Sequence, residues 1–223
     1  MINTVIFDLD GVIVDTEYVY DNWMKEFLDH YQIFIDPEIR KRTAGQAFTE
    51  FPSMMVKWWT EFRTEPITEE EIIQIYDQYI ASTEMKGRMP YKEVKDPDII
   101  QVMAELKEKG YQIAIASSSP MEDIRQAMLE IELEPYVNLV ISGEMFRESK
   151  PNPEIYLYTV EKLGKKPCEC IAVEDSTFGI QAAKSAGLIT FAKRDERFYF
   201  DQTPADFIID RLSQLTAILC PLT

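Results

Sequence analysis

The chain is poor in cysteine and histidine. Its 223 residues include three cysteines, Cys168, Cys170 and Cys220, and one histidine, His30. The cysteine count is odd, and the C-x-C spacing of the first two fits neither a zinc knuckle nor a thioredoxin-type motif. We therefore expect reduced thiols in a cytoplasmic protein. His30 lies in a polar helical stretch, which predicts a surface position.

The sequence also lacks a basic block and a long apolar run. Lys and Arg number 23 against 39 Asp and Glu, so the formal net charge is −16. Such an acidic surface repels nucleic acid and anionic membranes, and we expect neither as a partner. No apolar run approaches the length of a membrane span, and the first residues do not resemble a secretory signal. A monomer is the default expectation.

Two different patterns follow one another along the chain. Residues 4–8 (TVIFD) are typical of a short buried strand, and residues 17–83 have helical periodicity throughout. From residue 98 onward, apolar β-type runs alternate with amphipathic helical stretches, which predicts a parallel sheet covered by helices. We therefore predict a doubly wound α/β core, residues 1–15 and 87–223, with a helical domain inserted at residues 16–86.

Within the inserted segment, three helices are predicted from apolar spacing. The first spans residues 17–31, with Tyr20 on its apolar face, and the second contains Trp58 and Trp59, which we expect in a bundle core. The third begins at Thr68, which forms a capping box with Glu71. Residues 86–97 contain Gly and Pro without periodicity and are predicted to be a linker.

Polar side chains follow four of the predicted strands at the point where each strand ends. Because ligands of such sheets bind beyond the carboxyl ends of the strands, these side chains predict one shared site. The opposite strand ends have no comparable set. The residues concerned are Asp8 and Asp10 after the first strand, Ser117, Ser118 and Ser119 after the second, Lys150 after the third, and Glu174 and Asp175 after the fourth. Gly11, directly after Asp10, is predicted to let the chain turn sharply where a side chain would clash.

The chemistry of this set indicates a metal ion and a phosphate. Several carboxylates cannot all stay ionised in one small volume without a cation, and oxygen ligands suit Mg²⁺. Ser117, Ser118 and Lys150 are predicted to bind a phosphoryl group together with the backbone N–H groups of the next helix. Ser119 is predicted as the N-cap of that helix, and Asn152 as the N-cap of a later one.

The motifs D-L-D-G-V, a strand ending in Ser, S-K-P and E-D-S together resemble the haloacid dehalogenase superfamily over the whole chain. The similarity is to its phosphatase-like branch with a helical cap, the beta-phosphoglucomutase and sugar-phosphate phosphatase group. The resemblance implies that Asp8 is the nucleophile that forms an aspartyl-phosphate and that Asp10 is the general acid and base. It also implies Mg²⁺ bound by Asp8, the backbone carbonyl of Asp10, Asp175 and Glu174, the last directly or through water.

The cap differs from the mutase pattern. Tyr20 stands where those mutases have His, Phe48 stands where they have Arg, and Pro120-Met121 replaces Lys-Asn. Unless Arg42, Lys57 or Arg88 supplies the missing charge, a second phosphate lacks cationic partners, which favours transfer of the phosphoryl group to water. We predict a phosphatase of a small phosphorylated metabolite of the sugar-phosphate class, with substrate contacts from Tyr20, Gln46 and Phe48.

Three alternatives stay open at this point. The first is a beta-phosphoglucomutase-type isomerase, and the second is a non-catalytic binding module, although such a module would be expected to have lost Asp8 or Asp10. The third is a response-regulator-like domain, against which the large helical insertion counts. If the helical segment moves as a cap, Asp15 and Thr16 at the first crossing and residues 86–90 at the second are the predicted hinges.

Overall fold

The computed structural model describes residues 1–42, 51–63, 65–83 and 88–219. The chain folds into two compact units, Met1–Asp15 with Tyr91–Glu196 and Phe200–Thr223, and Thr16–Pro90 with Arg197–Tyr199. The second unit thus extends to Pro90 instead of residue 86 and includes a short segment from late in the chain.

Six parallel strands form one sheet in the described part of the first unit, in the order β3-β2-β1-β4-β5-β6. This confirms the predicted doubly wound α/β core. The first strand is separated from the others in sequence by the helical segment. It lies at the centre of the sheet, where Phe7 is paired with Ile115 on one side and Val173 on the other. The strands are β1 (Thr4–Phe7), β2 (Gln112–Ser117), β3 (Leu139–Ser142), β4 (Cys170–Glu174), β5 (Ile189–Lys193) and β6 (Phe207–Ile209).

Burial on both faces explains the continuous apolar character of the central strands. All four residues of β1 are buried, and successive side chains of a strand point to opposite faces. Ile6, Ala114 and Ala172 pack with residues of the later helices in one core cluster, while Val5 and Phe7 are fully buried on the other face. The helices of this unit are α5 (Tyr91–Val94), α6 (Ile99–Glu108), α7 (Met121–Ile131), α8 (Glu154–Lys162), α9 (Thr177–Ser185) and α10 (Ser213–Leu219).

The second unit has its own apolar core. Trp58 and Trp59 are 5% and 7% exposed and pack with Phe27, Met55 and Ile72, which confirms the predicted bundle core. Tyr20 does not belong to it and is exposed, with its ring edge-on to Trp23. The described helices of this unit are α1 (Thr16–His30), α2 (Pro37–Lys41), α3 (Phe51–Phe62) and α4 (Glu69–Ser82).

The predicted capping box at the start of α4 is confirmed. The Glu71 N–H donates to Thr68 Oγ1 at 3.2 Å, and the Thr68 N–H donates to Glu71 Oε2 at 2.9 Å. Two donors that have no partner within the helix are thereby satisfied. Short α2 was not predicted; it begins at Pro37, and Asp36 caps it by accepting from the Glu38 N–H at 2.8 Å. His30 is exposed, as expected.

The predicted linker of residues 86–97 is wrong in its second half. Tyr91–Val94 form the helix α5, and Tyr91 is 5% exposed. An aromatic side chain buries enough apolar area to order a short segment that lacks periodicity, and Pro90 stands just before the helix, where its missing N–H costs nothing. The predicted hinge residues 86 and 87 lie outside the described residues.

Two predicted helix starts are displaced by one residue. The N-cap of α7 is Pro120 instead of Ser119, because the Ser119 hydroxyl donates to Asp10. The N-cap of α8 is Pro153 instead of Asn152, although the Asn152 side chain still accepts from the Glu154 N–H at 2.9 Å. The Asn152 contact is local, whereas the Ser119 hydroxyl bonds to a residue from the end of β1.

No helix among the described residues combines the length and the apolar character that a bilayer crossing requires.

Candidate active site

The sheet brings the predicted polar residues to one edge. Asp8 directly follows β1, Ser117 ends β2 and Glu174 ends β4. Since β1 pairs in parallel with both β2 and β4, their carboxyl ends lie side by side. Lys150 comes from the segment between β3 and α8 and reaches the same place. This placement depends on the strand order, which the sequence patterns did not predict.

Three buried carboxylates form the centre of the site. One oxygen each of Asp8, Glu174 and Asp175 lies within 4.8 Å of the others, and the three residues are 7%, 0% and 3% exposed. Burial of like charges at this spacing is costly unless a cation compensates them. The cluster therefore has the donor chemistry and the charge of a divalent-cation site.

Lys150 is the buried cation that contacts this cluster. Its Nζ donates to Asp8 Oδ1 at 2.8 Å, to Glu174 Oε1 at 2.7 Å and to the Ala116 carbonyl at 3.2 Å. Burial opposes its charge, yet the carboxylates of Asp8 and Glu174 raise the pKa of the ammonium well above its ordinary value. Lys150 thus stays charged at neutral pH.

One lysine does not neutralise three carboxylates. Burial raises the pKa of Asp8 to about 8, and the negative charges of Glu174 and Asp10 act in the same direction while Lys150 opposes them. Three carboxylates and one ammonium leave two negative charges, which a divalent cation matches. The residues therefore fit Mg²⁺, whose preferred ligands are carboxylate and carbonyl oxygens and water.

Asp10 lies near this cluster in sequence, but its carboxylate has other partners. Asp10 Oδ2 accepts from Ser119 Oγ at 2.6 Å and from Ser117 Oγ at 3.2 Å. Ser117 Oγ in turn accepts from the Ser119 N–H at 3.0 Å. Two hydroxyls from the end of β2 thus orient a carboxylate from the end of β1, an arrangement typical of a general acid or base held in place.

Two glycines allow the backbone to approach the carboxylates. Gly11 has φ +76°, and a Cβ there would lie 1.9 Å from Asp175 Oδ2. A Cβ at Gly179, in the first turn of α9, would lie 2.0 Å from Glu174 Oε2. The predicted reason for Gly11, a sharp turn where a side chain would clash, is confirmed.

The other predicted site residues are placed as follows. Ser118 is exposed, and its Oγ lies 3.1 Å from Ser149 Oγ, so its role in phosphate binding stays a prediction. Asp15 and Thr16 stand where the first compact unit ends and the second begins, and their role as a hinge is likewise untested. Gln46 and Phe48 lie outside the described residues.

Sequence reasoning missed the side chain that holds Glu174. Tyr156 on α8 is fully buried, and its hydroxyl donates to Glu174 Oε1. Burial and the charge of Glu174 raise the pKa of Tyr156 well above its ordinary value, so the phenol remains a donor. The signal was a tyrosine on the apolar face of a predicted helix, because a buried hydroxyl requires a partner.

Lys193 was also missed, although it ends a strand like the residues that were found. Its Nζ donates to the carbonyls of Gly11 and Val12 at 3.2 and 2.9 Å, next to Asp10 in the chain. Gln202 extends the same region, because its amide donates to the carbonyls of Asp175 and Lys193 at 2.6 and 2.7 Å. Examining the fifth strand end as well as the first four would have found Lys193.

A family model of haloacid dehalogenase-like hydrolases matches residues 5–193 of the chain. The chain belongs to this family. The matched region begins within β1 and ends at Lys193, so it includes all the carboxylates of the site. The predicted membership is confirmed, and the chain is an enzyme of this hydrolase family.

Two curated relatives are about one-quarter identical in sequence to this chain. A phosphorylated carbohydrates phosphatase of Thermotoga maritima is 28% identical over 82% of this chain and 81% of its own. Hexitol phosphatase B of Escherichia coli K12 is 26% identical over 95% of this chain and 93% of its own. The crystal structure of a beta-phosphoglucomutase from Clostridium difficile is 23% identical, with a TM-score of 0.73 over 96% of this chain and 93% of that one. The last similarity shows the fold.

Proposed function

We propose that this hydrolase is a Mg²⁺-dependent phosphatase of a small phosphorylated metabolite, with a sugar phosphate as the substrate class. The observation that supports the chemistry is the buried cluster of Asp8, Glu174 and Asp175 in contact with Lys150. Two curated relatives are named as a phosphorylated carbohydrates phosphatase and a hexitol phosphatase, which supports the substrate class.

The proposed reaction has two phosphoryl transfers. A carboxylate oxygen of Asp8 forms a bond to phosphorus while the bond from phosphorus to the leaving oxygen breaks, and protonated Asp10 gives its proton to that oxygen. Asp10, now a carboxylate, takes a proton from water, whose oxygen bonds to phosphorus and releases Asp8 as a carboxylate. The products are the alcohol and inorganic phosphate.

The chain's own residues supply positioning and charge. Lys150 faces Asp8 and would stabilise the negative oxygens of the transferred group. Ser117 and Ser119 hold the Asp10 carboxylate, which directs its proton. Asp8, Glu174 and Asp175, with the Asp10 carbonyl, would hold Mg²⁺, which supplies charge neutralisation for phosphoryl transfer when it is bound.

The test is phosphate release from a panel of phosphorylated metabolites with Mg²⁺. We expect wild-type protein to release phosphate from one or more sugar phosphates, and Asp8→Asn and Asp10→Asn to lose at least about a thousandfold of kcat. Asp77→Asn removes the same charge from an exposed position on α4 and should retain full activity. Equal phosphate release by Asp8→Asn would overturn the mechanism, whereas no release from any sugar phosphate would overturn the substrate class.

A beta-phosphoglucomutase activity is the second candidate, because the fold is shared with a solved mutase. Supplying beta-glucose 1-phosphate with a trace of the bisphosphate, and following glucose 6-phosphate, separates the two. We expect phosphate release to exceed isomerisation, since Tyr20 and Pro120-Met121 replace the residues of the mutase pattern. Isomerisation faster than phosphate release would show that the mutase activity, and not the phosphatase activity, is the main one.

A further inference from the structure

The hydroxyl of Tyr156 makes a polar contact that the proposed reaction does not use. Tyr156 lies on α8, is 0% exposed, and donates to Glu174 Oε1. Its ring packs in the apolar cluster of Ile6, Ala116 and Ala172 beneath the site. A phenylalanine would fill the same apolar space, so packing alone does not explain the hydroxyl.

The two oxygens of Glu174 have different surroundings. Oε1 accepts from both Tyr156 and the Lys150 ammonium, the latter at 2.7 Å. Two donors occupy the lone pairs of this oxygen. Among the described residues, Oε2 accepts only one contact, from the Asp175 N–H at 3.3 Å. The asymmetry leaves Oε2 as the oxygen with capacity for a further ligand.

Lys150 alone does not create this asymmetry. Its ammonium lies at the end of a flexible four-carbon side chain and also donates to Asp8 Oδ1 at 2.8 Å and to the Ala116 carbonyl at 3.2 Å. The hydroxyl of Tyr156 sits on a rigid ring in a packed helix. A second donor from a fixed direction determines which oxygen is saturated and which is presented.

We propose that Tyr156 is a positioning residue that holds Glu174 by Oε1 and so presents Oε2 to the divalent cation, directly or through a water. This inference rests on the proposed Mg²⁺ site, and it deepens that site by naming what determines its affinity for the cation. Partners of metal ligands commonly change affinity by about 10–100-fold when they are removed.

The deciding measurement is metal binding without substrate. Metal-free wild-type protein, Tyr156→Phe and Tyr158→Phe are titrated with Mg²⁺ by calorimetry and with Mn²⁺ by electron paramagnetic resonance. Tyr158 is the matched control, because it lies on the same helix but contacts Phe146 and Lys162 away from the carboxylates. Circular dichroism establishes that each variant is folded.

We expect Tyr156→Phe to bind Mg²⁺ and Mn²⁺ about tenfold more weakly than wild type, and Tyr158→Phe to stay within twofold. In a Glu174→Gln background, Tyr156→Phe should cause no further loss, because the hydroxyl acts through the carboxylate. The activity of Tyr156→Phe should recover toward the wild-type kcat as Mg²⁺ is raised.

The failures are distinguishable. If wild type and Tyr156→Phe bind the cation equally, or if Tyr156→Phe is unfolded at 25 °C, the hydroxyl is structural and this inference is wrong while the metal site stands. If wild type binds neither cation, the proposed metal site is wrong and the inference falls with it.

Discussion

The Nζ of Lys193 lies 2.9 Å from Oδ2 of Asp96, and the same ammonium donates to the carbonyls of Gly11 and Val12. These contacts join the end of β5 to the loop after Asp10 and to the segment at Asp96. The two segments are also hydrogen-bonded to each other. The Asp96 N–H donates to the Ile13 carbonyl at 2.8 Å. The loop that follows Asp10 is therefore held from a strand end that contributes no catalytic group.

Removing Lys193 should destabilise this unit. The side chains of Lys193 and Asp96 are 18% and 7% exposed, so Lys193→Met leaves a nearly buried carboxylate uncompensated. We expect a loss of about 3 kcal/mol in the free energy of unfolding, measured by urea denaturation. The double variant with Asp96→Asn should lose less than the sum of the single variants, because the second change removes the unpaired charge. Additive losses would mean that the two side chains are not coupled.

Gly11→Ala should strongly reduce activity, whereas Gly110→Ala should not. Both glycines have similar backbone angles, φ +76° and +81°, but a Cβ at Gly11 meets Asp175 whereas a Cβ at Gly110 meets nothing within 4 Å. The positive φ costs each variant about 1–2 kcal/mol of stability. Displacing Asp175 should cost Gly11→Ala a further hundredfold or more in kcat/KM. Equal kcat/KM values for the two variants would contradict the described contact.

The two described cysteines should differ in reactivity. Burial raises the pKa of the Cys170 thiol to about 11, and its Sγ also donates to the Lys166 carbonyl at 3.5 Å. Cys168 is exposed. Because the thiolate is the nucleophile, N-ethylmaleimide at pH 8 should label Cys168 about a hundredfold faster than Cys170. Tandem mass spectrometry distinguishes the two sites, and labelling at equal rates is expected only in denaturant.

Asp98 should make the stability depend on pH under acidic conditions. Two hydrogen bonds from Arg211, at 2.8 and 3.1 Å, and one from the Ser213 N–H lower the pKa of the Asp98 carboxyl. Its ordinary pKa when unfolded is about 3.9. The stabilisation is therefore complete above the unfolded value and is lost as pH falls through the lower folded value.

We accordingly expect Asp98→Asn to lower the Tm by a few degrees at pH 7 and to approach the wild-type Tm near pH 2. Calorimetry from pH 2 to 7 measures the difference. Asp77→Asn, which removes an exposed carboxylate from α4, is the control for charge alone. A Tm difference that grows as pH falls would have the wrong sign for this ion pair.

The sequence was sufficient for most features that depend on neighbouring residues, although it missed the short helices α2 and α5 and displaced two helix starts by one residue. Apolar runs and helical periodicity predicted the first strand, the alternation of strands and helices after residue 98 and the longer helices of the inserted segment, since burial imposes period 2 or 3.6 on local sequence. The capping box of Thr68 and Glu71 and the turn at Gly11 are likewise local. Reading the strand ends also found Asp8, Asp10, Glu174 and Asp175, because parallel strands end at one edge.

Only the tertiary structure decided which side chains meet. Tyr156 reaches Glu174, and Lys193 reaches Asp96 and Gly11, across 18, 97 and 182 positions of sequence, and no local pattern encodes such contacts. Ser119 looked like a helix cap by itself, but the neighbouring β1 places Asp10 within reach of its hydroxyl. Strand order determines these distances, and it follows from packing of the whole sheet, which no single segment specifies.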